Sequence, residues 1–170
     1  MKGKRIVVTD LPRGRMDRFI VNTSETWYPG TVVQIDPTQT RQGACWVGKL
    51  CDISADGAGF SGACFIVTEE GLATYGKGIT SATSFDSYAA GQLASVYAPQ
   101  NGDELNLLFK NVSGTADDVV AGDLMIVDDT TGKFIVTTGS PTVKPAMALE
   151  AVTDPTADTL FWASWGGFAA

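Results

Sequence analysis

The chain of 170 residues contains no histidine, and this absence removes several kinds of catalytic and metal site at once. Without an imidazole, neither the Ser-His-Asp nor the Cys-His arrangement of nucleophilic enzymes can be built, and no histidine-ligated metal can be held. Lysine-based or paired-carboxylate chemistry stays open in principle. Its candidates, Asp117-Asp118 and Asp128-Asp129, fit solvated turns better, because neighbours on a strand point to opposite faces. We therefore expect no enzyme, no catalytic residue and no cofactor.

Cysteine is scarce, with only Cys45, Cys51 and Cys64. An odd number of cysteines in a chain without an export signal argues against a disulfide framework. The spacing, with five and then 12 residues between successive cysteines, matches no zinc module, and no histidine is present to complete one. The sequence predicts buried thiols and no metal site.

Long apolar runs are also missing. The first apolar run, residues 6–8, is far shorter than the core of a secretory signal, and no stretch approaches the 18 apolar residues of a membrane span. We expect a protein that is made in a cytoplasm and has no membrane partner.

Lysine and glutamate are few, whereas glycine (19 residues), threonine, serine, aspartate and alanine are common, which favours strands and turns over helices. Short β-branched and aromatic runs recur every 8–12 residues or so between turn signals. The sequence predicts an all-β protein: a small β-sandwich, barrel or β-tulip-like domain over residues 19–170, preceded by an extended arm over residues 1–18.

The clearest unit is a hairpin, with strands over residues 124–128 and 133–137 around the turn at 129–132. Residues 84–95 are helix-like, but Gly91 interrupts them and a strand over 92–97 fits equally well. Residues 41–64 indicate a glycine-rich loop or insertion, with one optional strand at 45–50. Further strands are predicted over residues 19–22, 31–35, 65–68, 72–75, 105–110, 146–152 and 160–165.

Half of the positive charge lies in the first 18 residues. Six basic and two acidic residues give this segment a net charge of +4, whereas the remaining six basic and 17 acidic residues give −11. The acidic body argues against broad nucleic-acid binding, and the arm alone suits nucleic acid or an acidic protein surface. Its interleaved apolar residues favour docking as an extended segment over a solvated tail. The candidate anchor residues are Lys2, Lys4, Arg5, Ile6, Val7, Val8, Arg13, Arg15 and Arg18.

The C-terminal end carries a second candidate site. Trp162, Trp165 and Phe168 lie in or beside the last predicted strand. Alternate aromatic residues on such a strand fill a core, or they anchor a subunit interface, and the sequence leaves both interpretations open.

Three segments together resemble the head decoration (capsid cement) proteins of tailed bacteriophages. They are residues 119–134, which include VVAGDLMIVDD and TGKF, residues 145–151 (PAMALEA), and the upstream residues 65–73 (FIVTEEGLA). The resemblance implies a small β-rich protein, often trimeric, that lies on the outer surface of the virion and clamps neighbouring major capsid subunits. It also implies an N-terminal arm that lies on the capsid lattice.

The leading hypothesis is therefore a capsid decoration protein whose partners are the major capsid protein lattice and further copies of itself, as a homotrimer. One alternative is another phage structural protein, such as a head fibre base or a tail-tube-like subunit. A second is a carbohydrate-binding β-sandwich with Trp27, Tyr28, Trp46 or Trp162 as a stacking platform.

Overall fold

The computed structural model describes residues 6, 14–51, 63–69, 79–81, 84–111, 118–128, 130–136, 144–153 and 155–168. Within these residues the chain forms 12 strands and no helix, which confirms the all-β prediction. The strands are β1 (Arg15–Val21), β2 (Val32–Ile35), β3 (Trp46–Leu50), β4 (Cys64–Val67), β5 (Ile79–Ser81), β6 (Ser84–Phe85), β7 (Leu93–Ala98), β8 (Glu104–Phe109), β9 (Leu124–Val127), β10 (Phe134–Val136), β11 (Lys144–Ala148) and β12 (Thr159–Phe168).

Five strands close into a first barrel, barrel 1, in the order β1-β3-β2-β4-β7. β1 runs parallel to β3, and every other neighbouring pair is antiparallel. Alternate residues of each strand point inward and fill the barrel with side chains, as small barrels require. The interior residues are Phe19, Val21, Trp27, Val33, Phe65, Val67, Tyr88, Ala94 and Val96.

A second barrel, barrel 2, follows in the order β10-β8-β12-β11-β9. The predicted hairpin is confirmed: β9 and β10 are antiparallel, and Ile126 lies opposite Ile135. Inside barrel 2 the ring of Phe161 meets the rings of Phe109 and Phe134 edge-on, with centroids 6.3 and 6.1 Å apart. The strands β5 and β6 form a separate two-stranded sheet.

One hydrophobic cluster, the shared core, contains residues of both barrels, whereas the interior of barrel 1 forms a second cluster. Val33 points into barrel 1, so its neighbour Val32 points outward, and Val32 packs in the same cluster as Leu107 and Phe161 of barrel 2. All four residues of β4 are buried because one face lines barrel 1 and the other faces barrel 2. The contact between barrels therefore accounts for the unbroken apolar run of β4.

Backbone hydrogen bonds also join the barrels. The Leu108 N–H donates to the Gly30 carbonyl (3.0 Å), and the Val32 N–H donates to the Gly132 carbonyl (2.8 Å). Gly30 has a φ of +88°, and a Cβ there would lie 2.7 Å from both the Leu108 nitrogen and a Leu160 methyl carbon. The junction thus requires glycine at position 30 for its φ and for its space.

The structure corrects parts of the sequence interpretation. Over residues 84–95 the strand alternative is right and the helix is wrong, because β6 and β7 occupy both ends of this stretch. The optional strand at 45–50 is confirmed, because β3 pairs with β1 and with β2 and residues 46–50 are thus part of barrel 1. The strand predicted over residues 72–75 lies outside the described residues.

Candidate functional site

The outer surface of β1 and β7 combines exposed apolar and basic side chains. Phe19 and Val21 point into barrel 1, so the alternate residues Met16, Arg18 and Ile20 point outward. Antiparallel pairing places Ser95 opposite Arg18 and Leu93 opposite Ile20. We call this set the β1–β7 face: Met16, Arg18, Ile20, Leu93 and Ser95.

Met16, Arg18 and Leu93 are exposed on this face, and Ile20 and Ser95 are half-buried. Met16 is 57% exposed and Leu93 is 37% exposed, although both are large apolar residues. Within the described part of the chain, no carboxylate forms an ion pair with the Arg18 guanidinium. The nearby Arg15 forms an exposed ion pair with Asp17 at 3.3 Å, which contributes little stability in water. The face therefore presents apolar area beside one basic group, Arg18, on a chain whose net charge is −7.

Arg15 and Arg18, which were predicted as part of an extended arm, are residues of a barrel strand. β1 begins at Arg15 and pairs with β7 from that residue onward. The boundary of the arm at residue 18 is therefore wrong, because the barrel begins at Arg15, four residues before the predicted start of the domain at residue 19.

Ile6 contradicts the prediction that it anchors the chain to a partner. Its side chain is fully buried in the core shared by the two barrels. Its N–H donates to a Glu69 carboxylate oxygen (3.0 Å), and its carbonyl accepts from the Asn106 N–H (2.7 Å). Ile6 thus docks on its own chain. The other predicted anchor residues lie outside the described residues: Lys2, Lys4, Arg5, Val7, Val8 and Arg13.

The three C-terminal aromatic residues have different environments. Trp165 is 8% exposed and packs in the shared core, so the core interpretation applies to it and the subunit-interface interpretation is wrong. Trp162 is half-buried on the outside of barrel 2, and its indole N–H donates to Glu104 at 3.2 Å. The backbone of Phe168 pairs with Lys144, and its side chain lies outside the described residues.

Charged groups cluster at one end of barrel 2, where two lysines meet two carboxylates. The ammonium of Lys110 donates to Asp128 (2.7 Å), and Lys133 forms an ion pair with Asp158. Burial raises the pKa of Asp128, but hydrogen bonds from Lys110 and Thr131 outweigh it and hold that pKa below its usual value. The first ion pair joins the residue after β8 to the residue after β9, and the second joins the residue before β10 to the residue before β12, so the two pairs tie strand ends together.

The structure does not support Trp27 as part of a platform on which a carbohydrate stacks. Trp27 is fully buried inside barrel 1, where its indole N–H donates to Glu25 at 2.7 Å. The Arg41 guanidinium covers the ring of Trp46 at 4.6 Å, and the Lys133 ammonium lies 5.4 Å from the ring centroid of Tyr28. Trp27 therefore cannot stack on a sugar, and the rings of Trp46 and Tyr28 already have cationic neighbours.

Fold and geometry together define an all-β protein built from two five-stranded barrels that pack against each other through a shared hydrophobic cluster. Comparisons with protein-family models and with curated proteins found no match. In the part of the chain that the structure describes, no group of three or more cysteine or acidic residues is placed to hold a metal ion. The same residues include no helix that is long and apolar enough to cross a membrane.

Sequence reasoning missed Met16 and Leu93 as surface residues. The sequence carries a signal for Met16, since residues 16, 18 and 20 alternate with the inward-facing residues Phe19 and Val21 along β1. Leu93 could not be placed from the sequence, because its position beside Ile20 depends on pairing between strands about 70 residues apart.

Proposed function

We propose that the chain is a non-enzymatic virion component, a capsid decoration protein that binds the outer surface of an assembled phage head. The partner is the lattice of major capsid protein, and the protein stabilises contacts between neighbouring subunits. The observation that best supports this proposal is the β1–β7 face, an exposed apolar and basic surface on an acidic chain.

The chemistry of this face fits a protein surface that carries carboxylates. Met16 and Leu93 offer apolar area for burial, and Arg18 can form two parallel hydrogen bonds with a carboxylate. Methionine and arginine are enriched in protein interfaces relative to the rest of the surface. The basic residues at positions 2, 4, 5 and 13 precede β1 directly in the sequence and add to the same charge.

Stabilisation follows from linkage to the assembled state. A protein that binds the assembled lattice, and not separate subunits, shifts the equilibrium toward the shell. Repetition of the contact around a shell makes individually weak contacts act together. The acidic remainder of the chain is then exposed to solvent.

Self-association as a homotrimer belongs to the same proposal. Of the three aromatic residues predicted for a subunit interface, Trp162 keeps partial exposure on the outside of barrel 2 and is the remaining described candidate. The molecular mass in solution, measured by light scattering, tests this part directly. A monomer at all concentrations would contradict it.

A charge placed on the β1–β7 face tests shell binding. We expect Met16→Glu to weaken co-sedimentation with purified heads of the same phage by about tenfold or more, because a carboxylate would replace a central apolar contact. Val120→Glu is the matched control, since Val120 is 58% exposed and precedes β9 in barrel 2. Undiminished binding by Met16→Glu would contradict the proposal.

Assembly of the chain into rings or tubes without shells would favour a tail-tube-like role.

A further inference from the structure

Two thiols meet on the outside of barrel 1. Cys51 directly follows β3 and Cys64 is the first residue of β4, and their sulfur atoms lie 3.4 Å apart. Both flank β2: the Cys51 N–H donates to the Val32 carbonyl, and Cys64 lies opposite Gln34. Their side chains therefore approach each other over the outer surface of β2.

The environment of this pair differs from that of the third cysteine. Cys51 and Cys64 are buried in the core shared by the barrels, and the Cys51 sulfur lies 3.9 Å from the Gln34 side-chain oxygen. Cys45 is half-buried and precedes β3, at the opposite end of that strand from Cys51. All three are thiols in this structure.

We infer that Cys51 and Cys64 form an oxidisable pair, a disulfide site that reacts with a small-molecule disulfide such as oxidised glutathione. One cysteine thiolate attacks the glutathione disulfide and releases one reduced glutathione. The second thiolate then attacks the resulting mixed disulfide and releases another. Two protein thiols and one oxidised glutathione thus become one protein disulfide and two reduced glutathiones, which balances atoms and electrons.

Formation of the disulfide requires only a small movement of the two sulfur atoms. A disulfide holds its sulfurs about 2.05 Å apart, so the two sulfurs must approach by about 1.4 Å. Cys51 lies beyond the end of β3 and Cys64 lies at the start of β4, so neither is fixed in the middle of a strand pair. Burial makes the reaction slow, because the oxidant reaches the thiols only when the site opens locally.

The bond would close a loop that joins residues 13 apart in sequence and would link β3 to β4 across β2. A loop of this length, closed in the unfolded chain, favours the folded state by a factor on the order of a hundred. The inference does not rest on shell binding.

Cys45→Ser provides the test protein, since it leaves only the pair. After incubation of the folded protein with oxidised glutathione at pH 8, we expect titration in denaturant to find no thiol, and the mass to fall by two hydrogen atoms. A peptide linking residues 51 and 64 should appear without reductant. The oxidised protein should unfold at a higher urea concentration than the reduced protein.

The double variant Cys45→Ser/Cys64→Ser is the control and should end as a glutathione adduct or an unreacted thiol. Two titratable thiols in treated Cys45→Ser, or a lasting mixed disulfide there, would overturn the inference. So would a link that forms only in denaturant, or a linked protein less stable than the reduced one.

Discussion

At the scale of single residues, Tyr97 connects the start of β1 to the turn before β8. Its hydroxyl donates to the buried Asp103 carboxylate (2.6 Å) and accepts from the Gly14 N–H (2.8 Å). The Gln100 N–H donates to the same Asp103 oxygen at 2.8 Å. Tyr97 also lies opposite Met16, so this buried network fixes the strand end that carries the β1–β7 face.

Replacing Tyr97 by phenylalanine tests this network through pH. Burial and, after it, the hydrogen bond to Asp103 together raise the pKa of Tyr97 to about 12. A group whose pKa is raised by folding gives stability that is complete below its unfolded pKa, near 10, and is lost as pH rises through about 12. We expect Tyr97→Phe to lower the free energy of unfolding by about 1–3 kcal/mol at pH 8 and to remove part of the loss between pH 10 and pH 12.

Urea denaturation at a series of pH values measures both effects. Tyr28→Phe is the control and should keep the alkaline loss of the wild type, because Tyr97 is intact. Identical alkaline profiles for Tyr97→Phe and the wild type would show that this hydroxyl does not cause the loss.

At the scale of elements, the sequence predicts strand positions better than strand neighbours. β7, β8, β9, β10 and β12 lie within a few residues of their predicted positions because β-branched and aromatic runs bounded by turn signals mark them. The apolar run of β4 also indicates a strand that is buried on both faces. The other barrel buries the second face of β4, and that contact depends on long-range pairing which local patterns do not contain.

The residues of the candidate site also depend on long-range contacts that local sequence patterns do not contain. The basic charge of Arg15 and Arg18 is evident in the sequence, but their place on a barrel strand depends on the pairing of β1 with β7. Ile6 follows the apolar pattern of a docking segment, and that pattern does not say whether the surface it docks on belongs to a partner or to its own chain.

A comparison of two glycines distinguishes the effect of a positive φ from the effect of close packing at the junction between the barrels. Gly30 and Gly102 have nearly equal φ angles, +88° and +87°, but a Cβ at Gly102 would have no atom within 4 Å. We expect Gly102→Ala to destabilise the fold by about 1–2 kcal/mol through its φ alone. Gly30→Ala should cost at least about 1–3 kcal/mol more, because its methyl group collides with β8 and Leu160. Equal urea midpoints for the two variants would contradict the close junction.

At the scale of the whole molecule, one hydrophobic cluster joins the two barrels, and Ile6 is part of it. Ile6 packs among residues of both barrels, and its carbonyl accepts the N–H of Asn106 in β8. Deleting residues 2–18 would therefore remove a core residue and part of β1 together with the basic charge. Loss of shell binding after such a deletion would not distinguish a missing anchor from a damaged fold.

Shortening the Ile6 side chain tests its contribution to the fold without removing the basic residues. We expect Ile6→Ala to lower the free energy of unfolding by about 2–5 kcal/mol, since it leaves a cavity between the barrels. Because the core is shared, far-UV circular dichroism and tryptophan fluorescence should report one coincident transition in urea for the variant, as for the wild type. Val120→Ala, at an exposed site, should change stability by less than about 0.5 kcal/mol. Ile6→Ala with wild-type stability would place Ile6 outside the core, whereas two separate transitions would show that the barrels unfold independently.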